Sequence, residues 1–252
     1  MLDPTKRFSN RVEAYVKCRP RYPPKIIPLL QRECGLSSDS IVADIGSGTG
    51  FLSELFLKNG NRVFGIEPNA EMRAAGEQLL AQYANFTSIN ATAEATTLAD
   101  ASVDFVTAGQ AFHWFDRDST RREFARILKP GGWVVIAWNG FRPEKTPVVA
   151  GYHSVLLRYG TDYRDVRREI EDTYVETFFA PGRYGVARFE FQQAFDFEGF
   201  KGRLLSASYA PQPGAPEYQP MIADLRRVFD ENQQNGTVAF DYDAEVYYGR
   251  LS

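Results

Sequence analysis

Two carboxylates and three closely spaced glycines carry the most legible chemistry in this 252-residue chain. Asp44 closes the apolar run Ile41-Val42-Ala43 and stands two residues before Gly46-Ser47-Gly48-Thr49-Gly50. Phe51, Leu52, Leu55 and Phe56 then follow at the spacing of one helix face. The pattern predicts a strand, a tight turn and a helix. Glycines let the backbone turn sharply and admit a ligand to contact distance. The helix start adds backbone N–H groups that have no intrahelical partner. Glu67 closes a second apolar run, about 20 residues past the glycines, where an acid can accept hydrogen bonds from ribose hydroxyls. The plainer alternative for Glu67 is an acid set against a helix dipole. A nucleotide-like ligand is the natural occupant of this arrangement.

A dinucleotide turn normally reads Gly-x-Gly-x-x-Gly against a pyrophosphate. Here Phe51 takes the place of the last glycine, and Asp44 would repel a pyrophosphate. The same acid suits a ligand with a cationic amino group. S-adenosylmethionine carries an α-ammonium, a ribose and a sulfonium, and no phosphate, so it is the expected cofactor. A nicotinamide-dependent oxidoreductase is the competing enzyme class. A non-catalytic protein that binds S-adenosylmethionine is the competing non-enzyme.

Several stretches in order strengthen the first reading. Val42-Ala43-Asp44-Ile45-Gly46-Ser47-Gly48-Thr49-Gly50 resembles the first motif of class I S-adenosylmethionine-dependent methyltransferases. Gly65-Ile66-Glu67-Pro68 resembles their second motif, and Asn90-Ala91-Thr92-Ala93-Glu94 their adenine-contacting segment. Val103-Asp104-Phe105-Val106 with Gln110-Ala111-Phe112-His113-Trp114-Phe115 resembles the fourth motif, and Leu128-Lys129-Pro130-Gly131-Gly132 the turn before the fifth strand. Arg7-Phe8 with Tyr15, Arg19, Tyr22 and Pro23 is similar to the small-molecule branch that includes trans-aconitate and ubiquinone-type methyltransferases.

The resemblance implies a role for each matching residue. Asp44 with Gly46, Ser47 and Gly48 would hold the methionine end, and Glu67 the ribose. Pro68 and Met72 would pack near the adenine, with Ala93 and Glu94 at its edge. Gln110 and Ala111 would line the pocket beneath the sulfonium. Phe8, Tyr15, Arg19, Tyr22, Phe112 and Trp114 would face the acceptor, a small molecule; the plainer alternative for the aromatic cluster Phe112 to Phe115 is core packing. Arg7, Arg19 and Arg21 suit an anionic acceptor, or are solvated arginines on a mobile end. His113 alone of these groups titrates near neutral pH. It is either a general base or a structural histidine at the pocket rim.

These residues need elements to position them. Strands are expected at 41–45, 62–66, 86–90, 103–108 and 133–138, alternating with helices at 51–59, 69–83 and 118–128. That alternation predicts an α/β fold with a parallel, doubly wound sheet, and the resemblance implies a mainly parallel, seven-stranded Rossmann-like one. One domain is expected over 1–252. Residues 1–35 would form a helical lid, 36–140 the cofactor-binding half, and 141–188 an insertion after the fifth strand on the substrate side. Residues 189–252 would complete the sheet. Within them, Phe189, Phe191, Phe195 and Phe197 alternate as in a strand. Residues 204–209 fit no single pattern. Met221, Ile222, Leu225, Val228 and Phe229 give an amphipathic helix, and 237–240 with 246–251 either pair or form one bent strand.

The whole chain sets outer bounds. A net charge of −3 with interspersed basic residues leaves no nucleic-acid footprint. Two cysteines and two histidines without clustered carboxylates argue against a disulfide framework and a metal site. The charged opening and short apolar runs predict a cytoplasmic protein with no membrane span. Nothing in the sequence fixes an oligomeric state.

Overall fold

The computed structural model describes residues 11–168 and 172–251, and the side chains of 166–174 are outside that description. The expected motif residue Phe8 and its neighbour Arg7 therefore lie outside the described residues.

The alternation of apolar runs and amphipathic stretches gives five strands and their helices close to the expected places. The strands are β1 (Ile41–Ile45), β2 (Arg62–Ile66), β3 (Phe86–Ile89), β4 (Val103–Gly109) and β5 (Leu128–Gly140). Two short helices come first, α1 (Val12–Cys18) and α2 (Ile26–Cys34), the second stopped by Gly35 at φ 70°. Then α3 (Phe51–Lys58) follows β1, α4 (Ala70–Leu80) follows β2, and α5 (Arg117–Ile127) lies between β4 and β5. Beyond β5 come α6 (Pro147–Tyr159), α7 (Tyr163–Arg168) and α8 (Asp172–Phe179). The chain ends with β6 (Tyr184–Phe195), α9 (Phe197–Leu205), α10 (Tyr218–Asn232) and β7 (Val238–Gly249).

All seven strands form one sheet in the order β3-β2-β1-β4-β5-β7-β6. β1 to β5 run parallel, and β7 inserts antiparallel between β5 and β6. The chain winds outward from β1 to β3, then crosses back to β4 on the other side of β1. Ligands in such sheets sit beyond the carboxyl ends of the strands at this switch point. Asp44, Glu67, Gly109 and Asn139 all lie there, at or just past the ends of β1, β2, β4 and β5.

Alternate residues of the parallel strands feed two cores. Val42, Val63 and Phe105 pack on α2 and α3, around Ile26, Leu30 and Phe56. Ala43, Ile45 and Val106 pack on the other face with Phe124 and Ile127 of α5. A third core joins α6, α9 and α10 to Phe240 and Tyr242 of β7.

The second half of the chain corrects several expectations. β6 begins at Tyr184, so the connection after β5 is shorter than 141–188. That connection is not one body. Val149 and Tyr152 of α6 belong to the third core, whereas Val175, Phe178 and Phe179 of α8 pack under the sheet with α5. Phe197 leaves the strand, because Asp196 caps α9 by accepting the Gly199 N–H at 2.7 Å. Of the two alternatives for the 237–251 region, the single strand holds, as β7. The residues from Leu128 into β5 include a bulge: Val103 pairs with Leu128 but Phe105 with Trp133. No helix among the described residues is long and apolar enough to cross a membrane.

Candidate active site

The turn after β1 is built from backbone conformations that side chains resist. Gly46 has φ +64° and Gly48 φ +55°. A Cβ on Gly46 would lie 2.6 Å from Ala111 Cβ, so the β1 turn and the β4 exit touch only because it is absent. Such contact at positive φ is what glycine permits. Ser47 N–H donates to the Ile66 carbonyl at 3.1 Å, which ties the turn to the end of β2.

The two acids stand at the base of this cleft. Asp44 is 1% exposed. Its Oδ2 accepts the Ser53 hydroxyl at 2.6 Å, and its Oδ1 the Thr107 hydroxyl at 2.9 Å. Burial outweighs these bonds and pushes its pKa up to about 6. Glu67 accepts Gly48 N–H at 2.9 Å and Asn69 N–H at 2.8 Å, one on each oxygen. Burial raises its pKa as well, and the two N–H bonds offset part of the effect. An ionised carboxylate has about four acceptor sites, so each acid keeps capacity toward a ligand.

Pro68, Met72, Ala93 and Glu94 line the next part of the cleft. Asn69 caps α4 through the Met72 N–H at 2.8 Å, which sets Met72 against Gly48. Glu94 Oε1 accepts the Asp116 N–H at 3.0 Å, so one oxygen already serves the start of α5. The loop carrying Ala93 and Glu94 is anchored from behind by Glu123. That side chain accepts Thr96 N–H at 2.8 Å and two Arg126 N–H groups at 2.7 and 2.8 Å. Arg126 and the Thr96 bonds, against burial, hold the Glu123 pKa down at about 2. Breaking a buried pair costs about 3 kcal/mol or more, less where one partner is partly exposed. Arg126 is 35% exposed. Glu123→Ala should therefore destabilise the chain by about 2 kcal/mol, read as a lower denaturant midpoint at pH 7. Because the folded value is depressed, this stabilisation is present above 4.5 and fades as pH falls toward 2. The difference between parent and variant should shrink in that window.

Beyond β4 the backbone is strained: Gln110 has φ +57°. Its N–H donates to the Ala137 carbonyl at 3.0 Å and its Nε2 to the Asn139 carbonyl at 2.9 Å. Gln110, Ala111, Trp114 and Phe115 line the cleft. Phe112 does not, contrary to expectation. It is fully buried, packed edge-on against Phe115, Trp138 and Phe178. Residues 112–114 form a single 3-10 turn, whose three residues per turn fan successive side chains to different sides. His113 is also absent from the cleft wall and lies against Trp114, ring centres 4.4 Å apart.

The N-terminal segment closes the near side. Tyr15, Arg19, Pro20 and Tyr22 line the cleft. Tyr22 is 6% exposed, and its hydroxyl lies where a Cβ on Gly109 would come within 2.5 Å. Arg19 Nη2 donates to the Ser206 carbonyl at 3.1 Å, and Arg11 Nη1 to the Ala207 carbonyl, so this segment is docked on the end of α9. Arg21 points away, paired with Glu54 at 2.7 Å and stacked on Phe51. The sequence reading does not single out Asn139 and Asn69, which also line the cleft. Their common signal is position: each stands at or just past a strand end at the carboxyl edge of the sheet.

The cleft has a volume of about 280 Å³. Its wall combines two buried acids, a glycine turn, an apolar slot and an aromatic rim. Among the described residues Arg19 is its one basic member, so no cluster of cations awaits a pyrophosphate.

The fold is that of class I methyltransferases. Residues 43–136 match the family model described as a methyltransferase domain. An uncharacterised methyltransferase of Mycobacterium tuberculosis is 35% identical over 167 residues, covering 65% of this chain and 64% of that protein. A methyltransferase-like protein of Schizosaccharomyces pombe is 30% identical over 158 residues, covering 62% and 60%. The match thus spans just under two thirds of these relatives' length. A solved structure from Anaeromyxobacter dehalogenans, described as a type II methyltransferase, superposes with TM-score 0.66 at 23% identity. It covers 92% of this chain and 98% of that one, and shows the shared fold. This class takes S-adenosylmethionine as its cofactor, and the residues fit it. Asp44 offers an anion for an ammonium, Glu67 free acceptor sites for hydroxyls, and the missing Cβ atoms of the turn leave room for close approach.

Proposed function

We propose that this chain transfers a methyl group from S-adenosylmethionine to a small-molecule acceptor. The observation that carries the reading is the placement of Asp44 and Glu67. Both are buried, on the ends of adjacent strands, and both open on one cleft with an aromatic rim. The cofactor supplies an electrophilic methyl on a sulfur that leaves without needing an acid. What falls to the protein is positioning, which can supply a large share of a rate enhancement.

In this reading Asp44 binds the ammonium, and Gly46, Ser47 and Gly48 receive the methionine chain. Glu67 orients the ribose, while Pro68, Met72, Ala93 and Glu94 frame the adenine. Gln110 and Ala111 sit below the reacting centre. Trp114 and Phe115 present ring faces there, which favour positive charge. Tyr15, Arg19 and Tyr22 cover the cleft and exclude water, so its fixed dipoles act at low dielectric. The expected result by calorimetry is binding of S-adenosylmethionine and none of NAD. A screen of small acceptors should then yield methylated product, which separates an enzyme from a binding protein. Since His113 does not line the cleft, His113→Gln should keep the parent pH–rate profile. Loss of one limb of that profile would restore it as a base.

A further inference from the structure

A second cavity, of about 370 Å³, adjoins the cleft and shares Arg19, Gln110 and Asn139 with it. Its far wall comes from the end of β5, the middle of β6 and β7, and α9, elements distant in sequence. Four arginines and two acids line it. Both acids are taken: Arg142 holds Asp243 at 2.8 Å, and Arg188 holds Glu245 at 2.7 Å. Arg19 and Arg203 have no carboxylate partner among the described residues.

Arg203 is the more telling of the two. It is 2% exposed, yet its Nε and Nη1 donate only to the hydroxyls of Tyr242 at 2.8 Å and Tyr152 at 3.2 Å. Those phenols carry no charge at neutral pH, since burial raises both. The surrounding rings offset part of the desolvation of the guanidinium but do not neutralise it. Two other residues of the same wall carry buried donors without acceptors, Arg19 Nε and Trp138 Nε1. Orphaned buried donors are rare, and neither side chain can accept a hydrogen bond. What is missing is an acceptor with negative charge.

We infer that this cavity seats the methyl acceptor and that the acceptor is a small carboxylate, read by Arg203, Arg19 and the Trp138 indole N–H. The inference rests on the methyltransferase reading above. Guanidinium forks match carboxylates in geometry as well as charge. Asp243 and Glu245 in the same wall disfavour a dianionic phosphate. Phe141, Tyr163 and Tyr209 offer ring surface to the acceptor's apolar body. The reacting atom then meets the cofactor cleft at the partition of Arg19, Gln110 and Asn139.

The test is calorimetry on the full chain with S-adenosylhomocysteine, followed by matched probes. Acetate to octanoate, succinate, benzoate and phenylacetate are each compared with the amide and the phosphate monoester of the same body. At least one carboxylate should bind about 10-fold tighter than either counterpart, one buried charged contact being enough for that ratio. Arg19→Gln and Trp138→Phe should each weaken it several-fold. Trp138→Phe keeps a ring in the core and removes the donor, and Arg203→Lys adds a third arm; the folding of both is checked by thermal melting. The inference is overturned if no carboxylate outbinds its amide, if a phosphate ester wins, or if Arg19→Gln and Trp138→Phe bind as the parent does. If S-adenosylhomocysteine itself does not bind, the cofactor reading fails and this one with it. If it binds and the carboxylates do not, this inference alone fails.

Discussion

The Asp44→Asn variant is expected to lose S-adenosylmethionine binding by roughly 30-fold or more, while folding at least as well as the parent. Removing one partner of a buried charged pair costs about 2–5 kcal/mol of binding. The fold should tolerate the change because the two side-chain partners of Asp44 are hydroxyls, from Ser53 and Thr107, and an amide oxygen can still accept the Ser53 backbone N–H. A hydroxyl can turn to accept from an amide as readily as it donates to a carboxylate. In the ligand-free protein the charge itself is a burden. Burial pushes the Asp44 pKa from 3.8 up to about 6, and the neighbouring Glu67 adds repulsion. Between these values the folded state holds the proton more tightly than the unfolded chain does. Stability therefore falls as pH rises from about 4 to 6, and stays low above it. A displacement of that size corresponds to about 3 kcal/mol. Asp44→Asn should remove this contribution, so ligand-free melting at pH 8 should match or exceed the parent's. Binding by the parent should weaken below pH 6, as the carboxylate needed by a cation takes up a proton. Thermal melts and calorimetry at pH 5 and pH 8 measure both effects. A variant that binds like the parent would remove Asp44 from the site.

The first half of this molecule was readable because its signals are local. An apolar run, an acid and a glycine turn specify β1, its ligand-facing end and the start of α3 within about a dozen residues. Glu67 could be assigned at a distance because strand and helix lengths in such a unit vary little. The second half was less readable for equally physical reasons. α9 carries Gly199, Lys201 and Gly202, which interrupt its apolar pattern. Gly202 is there because Cys18 Sγ would lie 2.5 Å from its Cβ where α1 crosses. That requirement exists only in three dimensions. Arg203 likewise reads as a surface arginine in sequence, and only the convergence of Tyr152 and Tyr242 shows it to be buried. The aromatic run Phe112 to Phe115 could not be divided into core and cleft without the 3-10 turn that separates them. The second cavity draws its donors from positions 19, 138 and 203, so no window of sequence contains it.

Glu67→Gln should behave unlike Asp44→Asn, and the contrast tests how the two acids are held. Both Glu67 oxygens accept backbone N–H groups, Gly48 on one and Asn69 on the other. A carboxylate satisfies both. An amide has one acceptor oxygen, so its NH2 must face one of the two donors. Backbone N–H groups cannot turn to accept, as the hydroxyls around Asp44 can. One buried N–H is left without a partner, which costs about 1–3 kcal/mol. For a domain of this size that is a fall of roughly 2–10 °C in melting temperature. The loss falls on the glycine turn or on the start of α4, the two pieces that Glu67 clamps together. Donor affinity should drop with it by roughly 10-fold or more, since the ribose contact and the turn geometry are lost together. Glu67→Gln should therefore lower both stability and binding at pH 8, where Asp44→Asn lowers binding alone. Equal melting temperatures for Glu67→Gln and the parent would mean that the carboxylate does not clamp the turn in solution. Parent-like affinity in that variant would place the ribose elsewhere. Either result is read from the same melts and titrations as the Asp44 pair, and only the predicted combination supports both acids in their assigned places.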